Sequence, residues 1–514
     1  MAGMALNLAL DRESPVPLAR QIQAQVERLI REGWLAPGVK LPATRELAQV
    51  LGVNRTTVAL AYEELVAAGW ARAHVGQGTF VMSPPVAARS PVSAPAAPRV
   101  PLDWSRLFSR SAHIAAAGTE RRAPLPPGLP QPVVSFAEGM PDSGLFPTDG
   151  FRRVLNEVMR AEGTSLLQYQ SGGDGYPPLR AYLATYLLRF GIEARADDIL
   201  VVNGSQQGFD LIARSFLDPG DVVAIEQPTY PRAVAVFRAA GAQLVPVAWD
   251  ADGPSAAALE QVLARHRPKL LYCQPTAHNP TGLTMSPAAA RRVLDAAARH
   301  SVPIVEDGFD GSLYYGEPRP LPLRALDRDG LVLYIGTFSK ILFPGLRLGW
   351  LLAPPPVVAR LRAAKQLADL GTSALIQAAV HRFCERRLLD RHVTRIVAEY
   401  RRRRDALLES LRRHMPDDVR WTEPRGGFSL LLTLPPGCDA ALLLPRALRR
   451  GVGFTPGARF FLDGSGEGTA RLSFSSVPLR RIDDGVRRLA EAIGDWRRSG
   501  TPRPAAEPAA AVVV

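Results

Sequence analysis

Leu331-Val332-Leu333-Tyr334-Ile335-Gly336-Thr337-Phe338-Ser339-Lys340, with Arg347 shortly after it, is the stretch on which the fold turns. The apolar run Leu331–Ile335 reads as a buried strand, and the turn behind it delivers a lysine at the strand's end. A lone lysine is usually a solvated amine. This chain, however, has only four, Lys40, Lys269, Lys340 and Lys365, among 62 basic residues, so chemistry that needs an amine has few candidates. Working outward, Val305-Glu306-Asp307-Gly308 ends an earlier strand on a carboxylate. Asn203-Gly204-Ser205-Gln206-Gln207 follows a strand and opens a helix, a geometry that presents backbone N–H groups to an anion. Arg347 can hold a phosphate through paired hydrogen bonds. Asn279-Pro280-Thr281-Gly282 supplies a side-chain amide, and Gln227-Pro228-Thr229-Tyr230 an aromatic ring that is either a stacking surface or a core residue.

From about residue 133 apolar runs alternate with amphipathic helices. Strands are expected at Ile199–Val202, Val222–Ile225, Leu270–Cys273, Ile304–Val305, Leu331–Ile335 and Gly349–Leu352, forming a largely parallel sheet covered on both faces. A smaller α+β segment follows, ending near Trp496. Taken together and in this order, the motifs resemble the fold-type I, class I aminotransferases, from Ser135-Phe136-Ala137-Glu138-Gly139-Met140 to Ala470-Arg471-Leu472-Ser473. The resemblance implies pyridoxal phosphate as cofactor. It makes Lys340 the Schiff-base lysine and Asp307 the partner of the pyridine nitrogen, the two catalytic residues. It makes Asn279 the ligand of the ring oxygen, and Tyr230 is a candidate to stack on the ring. Ser205, Gln206, Thr337 and Arg347 become the phosphate cradle, and Gly139 and Arg471 the receptors of a substrate carboxylate. Tyr169 resembles the tyrosine that reaches the phosphate across a dimer interface. One position departs from that pattern. Phe309 stands where a tyrosine usually donates to the ring oxygen, which counts against efficient transamination; Tyr314 and Tyr315 are the nearest replacements.

The N-terminal region has a different character. Leu18, Ile22, Val26, Leu29 and Ile30 recur at helical spacing, and Gly33 ends that helix. A short helix over Thr44–Leu51 is stopped by Gly52, Asn54 caps a third helix, and Trp70–Val81 reads as a hairpin around Gly76-Gln77-Gly78. This is a winged helix-turn-helix. Its third helix would carry Arg55, Thr56 and Thr57 into the major groove, with Arg45 on a phosphate and Gly78 allowing close approach to the duplex. Pro17-Leu18-Ala19-Arg20, Pro37-Gly38-Val39-Lys40-Leu41-Pro42, Arg45-Glu46-Leu47-Ala48 and Gly78-Thr79-Phe80-Val81 resemble the GntR family head, which implies operator binding as a dimer.

The expected organisation is a head at 14–82, a Pro/Ala-rich linker at 83–132, a body at 133–496 and a disordered tail at 497–514. Net charge is +13, yet residues 1–82 hold eight basic and seven acidic residues, so bulk charge does not locate the DNA site. The three cysteines are scattered, which fits a reducing cytosol and disfavours disulfides or a zinc site, and no metal is expected. No stretch reaches a membrane span and no signal peptide is read at the start, so a cytoplasmic protein is expected. Head plus body is the combination of the MocR subfamily of GntR-type regulators. It implies a domain-swapped homodimer that senses pyridoxal phosphate, or an amino compound reacting with it, and reports to operator DNA. The alternative is a working pyridoxal-phosphate-dependent transaminase with an accessory head.

Overall fold

A computed structural model describes residues 6, 8–74, 77–83, 103–118, 132–169, 173–308 and 311–499. Gly76, Phe309, most of the expected linker and the tail beyond Ser499 lie outside the described residues. The chain forms two compact units, Met1–Asp103 and Trp104–Val514.

In the first unit, α1 (Leu18–Arg31), α2 (Thr44–Leu51) and α3 (Arg55–Ala67) enclose a core of Ile22, Val26, Leu47, Val58 and Leu65. Leu6 and Leu8, ahead of the expected start at residue 14, are part of that core. Gly52 ends α2 in the left-handed conformation that glycine adopts without strain. Asn54 caps α3, its side chain accepting from the Thr56 N–H at 3.2 Å. The wing pairs β1 (Ala71–His74) with β2 (Gly78–Val81). It gains a third segment unforeseen in the sequence: the Leu41 N–H donates to Thr79 O at 2.8 Å, and Lys40 bridges to Phe80.

The second unit begins with a one-turn helix, Trp104–Arg106, and α4 (Arg110–Gly118). The sequence suggests that Asp103–Phe108 docks on a neighbour. Instead Trp104, Leu107 and Phe108 stay exposed, and the contact is made by α4, which packs on the helix Pro231–Ala239. The sheet comprises β3 (Ile199–Val202), β4 (Val222–Gln227), β5 (Gln243–Ala248), β6 (Leu270–Cys273), β7 (Ile304–Asp307), β8 (Val332–Thr337) and β9 (Gly349–Leu352). Their order is β3-β9-β8-β7-β6-β4-β5, with β9 antiparallel to both neighbours and the other pairings parallel. Alternation along each strand feeds two cores: Val223, Ile225, Leu270 and Tyr272 face one helical layer, Ala224, Leu271, Cys273 and Ile304 the other. β5 is absent from the expected set because Pro246 breaks its run. A proline is tolerated there because β5 is an edge strand, hydrogen-bonded on one side only.

α5 (Ser205–Phe216) and α6 (Pro231–Ala239) follow β3 and β4, and α7 (Pro355–Asp369) follows β9. The C-terminal part is a four-stranded antiparallel sheet of β10 (Arg420–Trp421), β11 (Ser429–Thr433), β12 (Thr455–Pro456) and β13 (Thr469–Ser473). It carries the helices Leu388–His414 and Leu479–Ser499, the latter running past Trp496. No helix among the described residues is long and apolar enough to cross a membrane.

Candidate functional site

The parallel strands β3, β4, β6, β7 and β8 all end on one edge of the sheet, where open α/β folds place their ligands. The residues singled out by sequence gather there around a cavity of about 1400 Å³. It is lined by Gly139, Ser205, Gln206, Tyr230, Asn279, Asp307, Thr337, Lys340 and Arg471. Lys340 follows β8, and its Nζ donates to the Gly139 carbonyl at 3.3 Å. Burial, then the neighbouring Arg471, pull its pKa down to about 8, against a smaller upward pull from Asp307.

Asp307 ends β7. Its Oδ2 accepts from the Tyr272 hydroxyl at 3.1 Å and from Gln274 Nε2 at 2.7 Å. The Gln274 Oε1 in turn accepts the Asn279 N–H at 3.2 Å, so one glutamine ties carboxylate to amide loop. Asn279 Oδ1 accepts from Arg471 Nη1 at 3.2 Å. Arg471, on β13, also donates through Nη2 to Ala137 O at 2.7 Å, and its guanidinium lies 5.0 Å over the Phe460 ring. Its Nε is buried with no hydrogen-bond partner among the described residues. Burial, then the like charge of Arg459, lower its pKa to about 10. Burial likewise raises Tyr230 to about 12, keeping it a neutral phenol.

At the β3–α5 turn Gly204 adopts φ 81. A Cβ there would stand 2.6 Å from Arg347 Nη2, so only glycine lets that guanidinium lie against the turn and donate to Asn203 O at 3.2 Å. Behind the turn is a network that sequence reasoning missed. Asn203 Nδ2 and Gln207 Nε2 each donate to Asp369 Oδ2 at 2.6 Å, and the fully buried Lys365 pairs with both oxygens of Asp369 at 2.8 Å. Lys365 drew notice only as one of four lysines. Helical spacing puts Lys365 and Asp369 on one face, but nothing local says that the face is buried.

Tyr169 is 90 % exposed and does not line this chain's own cavity. The expected replacements for the ring-oxygen donor come out differently. Tyr314 and Tyr315 are buried away from the cavity, and the Tyr315 hydroxyl donates to the Gly427 carbonyl, so it is not a spare donor for the site. A hydroxyl does reach Asp307, from Tyr272 on β6, and the amide of Gln274 joins it from just past the strand's end; their spacing of two, which puts both on one side of extended backbone, was the available signal. In the head, Arg45, Arg55 and Thr56 are exposed and Thr57 half-buried. Gly78 has φ 113, with the Lys40 side chain against the position of a Cβ. Among the described residues no group of His, Cys, Asp and Glu could hold a metal.

Comparison with known proteins agrees with this geometry. Residues 18–81 match the family model "Bacterial regulatory proteins, gntR family", and residues 132–489 match "Aminotransferase class I and II". A rhizopine catabolism regulatory protein, MocR, of Rhizobium meliloti is 32 % identical over 96 % of this chain and 97 % of its own length. An aromatic-amino-acid aminotransferase of Thermococcus litoralis is 37 % identical over 76 % of this chain and 95 % of its own. The crystal structure of LysN, an α-aminoadipate aminotransferase of Thermus thermophilus, superposes with a TM-score of 0.70 at 37 % identity, covering 77 % of this chain and 99 % of that one. A GntR head joined to an aminotransferase-type body defines a class of DNA-binding transcriptional regulators. The chain belongs to that class's MocR family, its body being a member of the class I and II aminotransferases.

Proposed function

We propose that the body binds pyridoxal 5'-phosphate and senses that cofactor or an amino compound reacting with it, and that a cytoplasmic homodimer reports the result on operator DNA. In this reading residues 14–82 are the head, 83–132 the connecting segment and 133–496 the body. The observation that carries it is the convergence of Lys340, Asp307, Asn279 and Arg471 on one cavity. The donor set fits the cofactor. A glycine turn backed by Arg347 suits a phosphate, with Ser205, Gln206 and Thr337 beside it. A carboxylate oriented by two neutral donors suits a ring nitrogen that must stay protonated. The unpartnered Arg471 Nε suits a carboxylate, beside Gly139, where a Cβ would come within 3.3 Å of Arg471 Nη1. The LysN structure was solved with a phosphopyridoxyl-leucine.

Bound pyridoxal phosphate supplies an electrophilic carbon on an electron-withdrawing ring. The rest is done by this chain. Lys340 offers an amine that is partly neutral near pH 7. Asp307 holds the proton on the ring nitrogen, kept in place by Tyr272 and Gln274. Asn279, its Oδ1 engaged by Arg471, would offer its NH₂ to the ring oxygen. Tyr230 covers the ring, and Tyr169 serves the partner copy's site. Arg55, Thr56 and Thr57 read bases, while Arg45 and the Gly78 backbone meet phosphates. An effector matters only through different affinities for two conformations, and release of Lys340 by an incoming amine is the local change available to bias them.

Working transamination is the second reading, favoured by the completeness of the cavity. The test follows absorbance and operator affinity together while amino acids, ω-amino acids and pyridoxal phosphate are titrated, with Phe309→Tyr assayed beside the native protein. Slow or absent turnover with a ligand-dependent operator affinity supports sensing. Turnover typical of a metabolic aminotransferase, with operator binding indifferent to every ligand, supports the enzyme.

A further inference from the structure

Gln274 is held from behind as well as from the cavity. Its side chain joins Asp307 to the Asn279 turn, and its backbone N–H donates to Glu226 Oε1 at 2.7 Å. Glu226 lies on β4, fully buried and outside the cavity lining, and its Oε2 has no hydrogen-bond partner among the described residues. Tyr272 and Cys273 on β6, Asp307 on β7 and His278 beside Asn279 are the titratable groups around it. His278, equally buried, brings Nε2 to 3.4 Å from Glu226 Oε1, outside hydrogen-bonding geometry. Its ring stacks on Trp249 with centroids 4.3 Å apart, and its Nδ1 shares a 2.8 Å hydrogen bond with Thr281 Oγ1, so the turn carrying Asn279 is pinned on both sides. Ionising Glu226 would bury a charge with one N–H donor, an unfilled oxygen and a second carboxylate nearby. A buried carboxyl in that position is far less costly as the neutral acid. Burial drives its pKa up, and the charge of Asp307 adds to that, over the opposite pull of His278 and of the Gln274 N–H.

We infer that Glu226 is a positioning residue of the cofactor site that works uncharged: it anchors Gln274, and through it Asp307 and Asn279, without setting a second negative charge beside Asp307. Such a charge would draw a proton onto Asp307. A protonated Asp307 no longer holds the proton of the ring nitrogen. The neutral acid keeps the hydrogen bond to Gln274 and avoids the repulsion. Glu306, next to Asp307 on β7, is a different case. Both its oxygens accept backbone N–H groups, from Leu323 at 3.0 Å and Arg324 at 2.8 Å, so it ties down the helix Leu323–Leu326 rather than the site. The inference rests on the reading that the cavity takes pyridoxal phosphate, and it goes beyond that reading by assigning a residue outside the cavity wall to the cofactor's electrostatics.

The experiment uses the full-length protein with pyridoxal 5'-phosphate as the probe, and compares Glu226→Gln, Glu226→Leu and Glu306→Gln with the native chain. At pH 7 exposed carboxyl groups are ionised, so the infrared carbonyl stretch of a protonated carboxyl reports buried acids. Glu226→Gln should remove one component of that band, distinct from the one removed by Glu306→Gln. It should also bind pyridoxal phosphate within about twofold of the native affinity and keep the pH midpoint of the bound cofactor's absorbance, because the amide oxygen still accepts the Gln274 N–H. Glu226→Leu leaves that N–H unpaired. Cofactor affinity should then fall about tenfold and the midpoint should shift, which a loss of packing alone would not cause. An infrared band that Glu226→Gln leaves intact, or a midpoint that the glutamine moves as far as the leucine, would show a carboxylate paired with His278 and overturn the inference. Native affinity and midpoint in Glu226→Leu would overturn it as well. Should the leucine variant not fold, the infrared band and midpoint of the glutamine variant decide alone. No uptake of pyridoxal phosphate by the native protein would remove the reading of the cavity itself, an outcome separable from these because the infrared comparison needs no cofactor.

Discussion

The head and the cavity solve the problem of presenting arginine in opposite ways. Arg45 and Arg55 stand on short helices, exposed, with no hydrogen bond or ion pair among the described residues; the scaffold beneath them positions the backbone and leaves the side chains free. Arg471 and Arg347 lie in the body, each held by hydrogen bonds to the chain around it. Substitutions in the head should therefore act independently, while those in the cavity should propagate through shared partners.

The largest expected effect is at Lys340. Lys340→Ala should remove the visible band of covalently held pyridoxal phosphate completely, and a borohydride-fixed adduct persisting in the variant would show that another amine holds the cofactor. Next is pH. With the Lys340 pKa near 8, capture of pyridoxal phosphate by cofactor-free protein should rise about fiftyfold from pH 6 to pH 8, following the neutral amine, and level off above. The sign carries over to stability. The unfolded lysine stays protonated up to its ordinary pKa, so between about pH 8 and 10.5 the unfolded state binds more protons and the lysine's contribution rises with pH. Gln274→Leu should weaken cofactor binding roughly tenfold or more, the loss expected when a buried carboxylate forfeits a hydrogen bond. Combined with Tyr272→Phe it should show a coupling of at least about 0.5 kcal/mol, since both donors share Asp307 Oδ2; strict additivity would make the cavity no more interlocked than the head.

The head effects are smaller and should add. Arg55→Ala should cost about 1–3 kcal/mol at the operator and little on random DNA. Arg45→Ala should lower both affinities alike and flatten the salt dependence by about one unit. Equal losses on operator and random DNA for both variants would remove base reading from Arg55.

What could be read from the sequence follows the same division. Asn54, Gly52 and the helical spacing of Ile22 and Val26 are local signals, and the head's elements stand where they point. Six of the seven strands of the large sheet were legible as apolar runs, and the seventh was hidden by Pro246, whose tolerance depends on being at an edge that only the assembled sheet defines. In the site, residues inside recognisable motifs were legible. Tyr272, Gln274 and Lys365 were not, because each owes its role to a partner on another element: Asp307 across the sheet, or the Asn203 turn reached through Asp369.

The buried ion pair of Lys365 with Asp369 bears on reagent selectivity. Unprotonated primary amines add to an aldehyde indiscriminately, and guanidinium groups do not give the same adduct. With four lysines in the whole chain and Lys365 withdrawn into its ion pair, only Lys40 and Lys269 remain as side-chain decoys for an aldehyde. The same economy makes it a convenient target for amine-directed chemical labelling. Near neutral pH an acylating probe should mark Lys340 ahead of the other lysines, and occupancy of the pocket can be read as protection of a single tryptic site.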